Sequence, residues 1–218
     1  MSGHTGRISA TSPYNDDLMS KVFAAVLLIL LSPVLAGIAV LVWLGDRKAP
    51  FFIAQRTGLG GGTFAMVKFR TMRPGTSDTS AITEVRDNRI TPIGSFLRNT
   101  KLDELPQLFN ILRGDMAFFG PRPEDPGIVA RYYDDEMRRS LLFLPGLISP
   151  GTLWALTNLN RIEGADDAED VYAREILPER LARDTAYFEQ AGFMSHTQLA
   201  MKTLATLLHR AVSAENRE

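Results

Sequence analysis

The sequence predicts an α+β protein in which an N-terminal membrane segment precedes a small mixed domain. Three observations carry this. Residues 22–45 contain no charged side chain. A strand-like run then folds back on itself across a glycine-rich turn. Beyond residue 100, apolar residues recur at helical spacing in several separated stretches. A chain of 218 residues has room for one domain with a proper core plus an anchor.

The apolar segment reads "VFAAVLLILLSPVLAGIAVLVWLG". Its length, about 36 Å as a helix, exceeds a hydrocarbon core of about 30 Å. Secretory leaders have shorter apolar cores and a small-residue cleavage site, so a retained membrane segment is expected. Asp16 and Asp17 precede it and are candidate helix caps. Ser32–Pro33 falls at its middle, where proline removes an amide donor and clashes with the preceding turn. A kinked spanning helix and a re-entrant helix-break-helix both fit. Basic residues flank both ends, Arg7 and Lys21 before and Arg47, Lys48 and Arg56 after, which gives no positive-inside asymmetry.

"APFFIAQRTGLGGGTFAMVKFRTM" then predicts two strands joined by a turn. Gly58, Gly60, Gly61 and Gly62 superficially suggest a phosphate loop, but no Gly-Lys-Ser/Thr follows. Residues 73–88 are polar and turn-rich, a surface loop. In "KLDELPQLFNILRGDMAFFGPRP", Leu102, Leu105, Phe109 and Leu112 have helical spacing. Pro106 is tolerated only in a first turn, so a helix should begin near Asp103 or Glu104. "GPRP" at 120–123 is irregular and stiff. Amphipathic helices are expected at about 128–142, 166–190 and 195–211.

Charge is segregated although the net is only −1. Residues 48–122 carry a net +5 and residues 123–218 a net −6, so an anionic partner for the middle of the chain is expected. The absence of cysteine excludes disulfides and thiolate chemistry. His4, His196 and His209 do not have metal-ligand spacing.

Asp103 and Glu104 lie among Arg98, Lys101, Arg113 and Arg122. A helix cap and surface ion pairs would account for such an arrangement. So would an ionised carboxylate used as nucleophile or metal ligand towards a phosphoanhydride, which needs cations to lower repulsion. Hard Mg²⁺ prefers oxygen ligands.

The broken apolar segment, "PFFIAQRTG", "KFRTM", "LDELPQLFNILRGDM" and "GPRP" together resemble the bacterial sugar transferase family, most closely its small monotopic phosphoglycosyl transferases. The likeness is dense over residues 17–123 and continues more weakly to about residue 208. It implies a re-entrant helix at about 17–46 within an anchor of residues 1–47. A catalytic domain of residues 48–218 would lie on the cytoplasmic face of the bacterial inner membrane. The implied reaction moves a sugar phosphate from a UDP-sugar to a polyprenol phosphate, initiating surface glycan assembly. Asp103 takes the nucleophile's place, and Glu104 that of a catalytic partner holding Mg²⁺. Lys68, Arg70, Arg98 and Arg113 become phosphate contacts, though each is equally a salt-bridge candidate. Arg122 would face the nucleotide or its phosphates, and Asp184 matches a carboxylate of the family's C-terminal part. Two departures stand out. Where many members read Pro-Gly-Ile-Thr-Gly, this chain has Pro145-Gly146-Leu147-Ile148-Ser149, losing the threonine hydroxyl. An aspartate common in the last helix is absent around Thr197–Leu199.

The expected partners are UDP-sugar, polyprenol phosphate and membrane lipid, with a homo-oligomer left open. The rival from another class is a catalytically silent membrane scaffold. A nucleic-acid binder is disfavoured, because no basic-aromatic run or reading motif is present.

Overall fold

The computed structural model describes residues 18–73, 75, 88–158 and 167–215. The proposed Asp16–Asp17 cap and nearly all of the 73–88 loop lie outside them.

Helix α1, Leu18–Asp46, runs without interruption through Pro33. The expected break in helical structure is therefore absent, and a local repair explains why. Proline denies the Ile29 carbonyl its usual amide donor. The Ser32 hydroxyl donates to that carbonyl instead, at 2.7 Å. By length and composition α1 is long and apolar enough to cross a membrane. Yet it lies along the rest of the protein from one end to the other. Ala24 and Leu28 pack with Ala54, Met66, Leu108, Ile111 and Met116. Ile38 and Val42 pack with Phe69 and Leu97. At its start Phe23 meets Phe118 with ring centroids 5.3 Å apart, and at its end Asp46 pairs with Arg70. Val26, Ile29, Leu30, Val34, Val40, Leu41 and Leu44 remain exposed. At about 1.5–3 kcal/mol for each such side chain moved out of water, covering this face with an apolar medium is favourable.

Strands β1 (Phe51–Thr57) and β2 (Thr63–Phe69) form the expected antiparallel hairpin, in register from Phe51↔Phe69 to Thr57↔Thr63. Gly60 and Gly61 have φ of 68° and 85°, a conformation glycine adopts without steric penalty. β2 follows the turn directly, so no helix N-terminus is available for a phosphate loop.

Helix α2, Pro92–Thr100, is capped by Thr91, whose hydroxyl accepts from Gly94 N–H at 3.0 Å. It ends at Lys101 in the left-handed conformation. A 3₁₀ helix, Leu102–Gln107, continues into α3, Leu108–Arg113. The start near Asp103 agrees with expectation, but the pitch does not. At three residues per turn, the inward stripe is Leu102, Leu105, Leu108 and Ile111. Phe109 and Leu112 are left exposed. Buried Asn110 ties α3 to β2, with Nδ2 donating to Ala65 O at 2.7 Å and Oδ1 accepting from Val67 N–H at 3.0 Å. This fixes Lys68 beside the 3₁₀ helix.

An unanticipated parallel pair joins β3 (Ala117–Phe119) to β4 (Gly146–Ile148). A Cβ on Gly146 would lie 2.2 Å from Gly120 N, so only glycine permits the approach. The expected helix at 128–142 is instead three pieces: α4 (Pro126–Tyr132), α5 (Asp135–Arg138) and a 3₁₀ turn, Arg139–Leu142. Helix α6 spans Pro150–Asn158. The expected 166–190 helix is α7 (Ala168–Val171), a π-helical segment (Tyr172–Ile176) and α8 (Leu177–Phe188). The last is α9, Phe193–Glu215. Ile128, Val129, Tyr133, Ala155, Tyr172, Ile176, Leu177 and Leu181 form this half's core.

Candidate active site

The 3₁₀ helix presents Asp103 and Glu104 in its first turn. Arg122, from the irregular segment after β3, donates to both Glu104 oxygens, at 3.1 and 2.9 Å. Lys101 Nζ lies 3.5 Å and Lys68 Nζ 4.0 Å from Glu104 Oε1. Five charged groups from three parts of the chain therefore converge, three cationic and two anionic.

The two carboxylates differ. Burial alone would raise the Glu104 pKa, but Arg122, Lys101 and Lys68 outweigh it and hold the group well below the usual range. Asp103 is raised, first by burial and then by the Glu104 charge. Its Oδ1 is buried with no hydrogen-bond partner. An unsatisfied buried polar atom costs about 1–3 kcal/mol and calls for an explanation such as catalysis. Burial, followed by the Arg122 charge, lowers the Lys68 ammonium to about 7. Neighbouring groups with pKa values displaced in opposite directions mark sites of chemistry more often than surface ion pairs.

Of the other residues named from the sequence, Arg70, Arg98 and Asp184 have separate partners. Arg70 donates to Asp46 and to the Ala49 carbonyl, locking the end of α1. Arg98 donates to the Thr71 hydroxyl at 2.8 Å. Arg113 is exposed at the end of α3. Asp184 is fully buried, accepting from Gly151 N–H at 2.7 Å and Ser149 Oγ at 3.1 Å. Burial raises its pKa to about 6. Ile148 stands at the position of the family's threonine, and Ser149 supplies a hydroxyl one residue further on. Lys101 belongs to the cluster, although its place in the sequence marks it only as a flanking cation. Its left-handed backbone, which turns α2 into the 3₁₀ helix, left no signal in the sequence.

No group of three or more His, Asp or Glu side chains suited to a metal comes together among the described residues. Mg²⁺ does not require one, since one or two carboxylates suffice when water and a diphosphate complete its shell. Glu104, beside the unpartnered Asp103 Oδ1, can supply one such carboxylate by exchanging part of its Arg122 contact for the ion. An apolar cleft of about 550 Å³ lies between the start of α1, β3 and α9, lined by Phe23, Met116, Phe118, Leu144 and Phe193.

The model of the bacterial sugar transferase family matches residues 14–210. The chain is 45% identical over 108 residues to the UDP-glucose:undecaprenyl-phosphate glucose-1-phosphate transferase of Xanthomonas campestris pv. campestris, a match covering 49% of this chain and 22% of that one. It is 31% identical over 194 residues to the protein of the same name from Caulobacter vibrioides (strain ATCC 19089 / CIP 103742 / CB 15), covering 88% and 68%. With the exopolysaccharide production protein ExoY of Sinorhizobium fredii (strain NBRC 101917 / NGR234) it shares 33% identity over 218 residues, covering 92% and 88%.

Proposed function

The chain belongs to the bacterial sugar transferase family, and on that premise we propose that it transfers a sugar 1-phosphate from a UDP-sugar to a polyprenol phosphate. Undecaprenyl phosphate, named in the Xanthomonas and Caulobacter relatives, is the proposed acceptor, and the product initiates a surface glycan. The observation that carries this reading is the asymmetric dyad. Glu104 is neutralised by three cations, while Asp103 keeps a buried oxygen without a partner.

In the proposed mechanism, an Asp103 oxygen attacks the phosphorus bearing the sugar. The bond from that phosphorus to the bridging oxygen breaks, and UMP leaves with the electron pair. A phosphate oxygen of the polyprenol phosphate then attacks the same phosphorus. The acyl–phosphate bond breaks, restoring the Asp103 carboxylate and giving polyprenol diphosphate sugar. Splitting one displacement into two is the gain of a covalent intermediate. Arg122, Lys68 and Lys101 would bind and orient the anionic diphosphate. Glu104, with diphosphate oxygens, would hold Mg²⁺. The ion, when bound, would offset diphosphate charge.

We further propose that α1 bends at Ser32–Pro33 while staying helical and is re-entrant, with the domain on the cytoplasmic face, where nucleotide sugars are made. Contacts of both ends of α1 with the same domain support this. The apolar cleft beside α1 suits the acceptor's hydrocarbon. A silent scaffold would leave the cost of the unpartnered Asp103 oxygen unexplained.

The test is UMP release from a panel of UDP-sugars with Mg²⁺ and no acceptor. The expected result is about one UMP per active site followed by a stall, absent in Asp103→Asn and absent in a chelator. UMP formation only after lipid is added, with ternary-complex kinetics, would make Asp103 a base and remove the intermediate. Full activity in a chelator would remove the ion.

A further inference from the structure

Arg122 sits in a segment without regular structure, residues 120–125, yet its bidentate clasp on Glu104 demands a fixed backbone. Proline on either side restricts φ, and backbone hydrogen bonds tie the segment down, among them two at or next to the prolines. Gly146 N–H donates to the Pro121 carbonyl and Thr57 N–H to the Glu124 carbonyl, both at 2.9 Å. Side chains add further anchors: Asp125 pairs with Arg56 at 3.5 Å, and Glu124 is held more closely. Glu124 Oε2 accepts from Tyr172 OH at 2.6 Å and from Arg180 Nη2 at 2.8 Å, and Arg180 also donates to Tyr172 OH. All three residues are buried. Burial alone would raise the Glu124 pKa, but Arg180 and then Tyr172 hold it lowered.

The helix that supplies two of these groups is deformed where they meet. Eight residues apart on a regular α-helix, Tyr172 and Arg180 would sit about 80° apart around the axis. The wider π-helical turn at Tyr172–Ile176 closes that angle. Pro178 contributes to the deformation, because it has no amide to donate to the carbonyl of Arg174. One turn beyond Arg180, Asp184 holds Ser149 and Gly151, next to the strand that supports Pro121. The buried polar edge of α8 therefore holds the segment at Glu124 and, through Ser149 and Gly151, the chain just after β4.

We propose that Glu124, Tyr172 and Arg180 form a positioning unit for Arg122, through which the C-terminal helices set the geometry of the donor site. The proposal rests on Arg122 being a donor contact. Tyr172→Phe removes one hydroxyl and leaves the Glu124–Arg180 pair to hold the fold. Expected results are a melting temperature within a few degrees of wild type and faster hydrogen exchange in the peptide carrying the Arg122, Glu124 and Asp125 amides. Donor KM should rise about fivefold, and an Arg122→Lys background should largely absorb that rise, since coupled residues are non-additive. Arg180→Lys, which keeps charge but loses the fork, should behave alike.

Additive effects on KM, or unchanged exchange in the 121–125 peptide, would overturn the unit. If Tyr172→Phe unfolds, Arg180→Lys is read by the same two measurements. Absence of UMP release by the wild-type enzyme would instead count against the proposed reaction, while exchange would still judge the positioning.

Discussion

Arg122 grips the Glu104 carboxylate through both terminal guanidinium nitrogens, at 3.1 and 2.9 Å. Asp103, the preceding residue, keeps Oδ1 buried and unpartnered. Adjacent carboxylates in one turn thus have unlike roles open to them. The bound one shapes the electrostatics of the site, and the unpartnered one is available to react.

That asymmetry predicts a graded response at position 122. Arg122→Lys keeps the charge but not the fork, and should lower kcat/KM for the donor about tenfold. Arg122→Ala should lower it about a hundredfold, roughly 2.8 kcal/mol. Lys68 and Lys101 still neutralise Glu104, so the fold should survive, as a melting curve would check. Equal activity of the Lys and Ala variants would mean that the fork has no part in catalysis.

Lys68 predicts a pH dependence. It faces Glu104, Asp103, Arg122 and Arg56, and burial followed by Arg122 lowers its pKa to about 7. The ammonium is charged below that value and neutral above it. Donor kcat/KM, which reports the free enzyme, should therefore fall as pH rises through about 7. Lys68→Arg should lose that limb, because guanidinium stays charged. Stability should move the other way. The unfolded lysine binds its proton up to about 10.5, so folding gains stability between about 7 and 10.5 as pH rises. A profile that keeps its limb in Lys68→Arg would assign the titration to another group.

Topology is testable because the chain has no cysteine. Single cysteines at Met19, in the first turn of α1, and at Lys48, just past its end, both exposed, should resist an impermeant thiol reagent in intact cells. Both should react in inverted membrane vesicles. Labelling of Met19→Cys from outside would establish a spanning helix. Pro33→Ala restores the amide donor to Ile29 and should favour the straight, spanning form.

The elements legible from the sequence were those written in short-range chemistry. The uncharged run of 22–45 specified an apolar helix, and alternating residues around a glycine turn specified the hairpin. Pro106 specified a helix start near Asp103. Motifs in a fixed order identified the family, because such motifs are local strings. Failures came where a local rule met a long-range contact or an unseen change of pitch. The stripe at 102, 105, 109 and 112 presumed α geometry, whereas the 3₁₀ turn turned Leu108 and Ile111 inward. Arg70, from the sequence equally a phosphate contact and a salt-bridge candidate, pairs with Asp46 across the anchor junction. Arg180 lies among Leu177, Leu181 and Asp184 on the buried side of α8, and a charge on that face was the one sequence signal of the Glu124 cluster. Residue type and spacing determined which helices and turns form and which carboxylates could react. Only the folded chain decided which carboxylate is neutralised. That choice depends on Lys68 and Arg122, distant in sequence, reaching Glu104 in a water-poor pocket where each ångström of approach changes the energy.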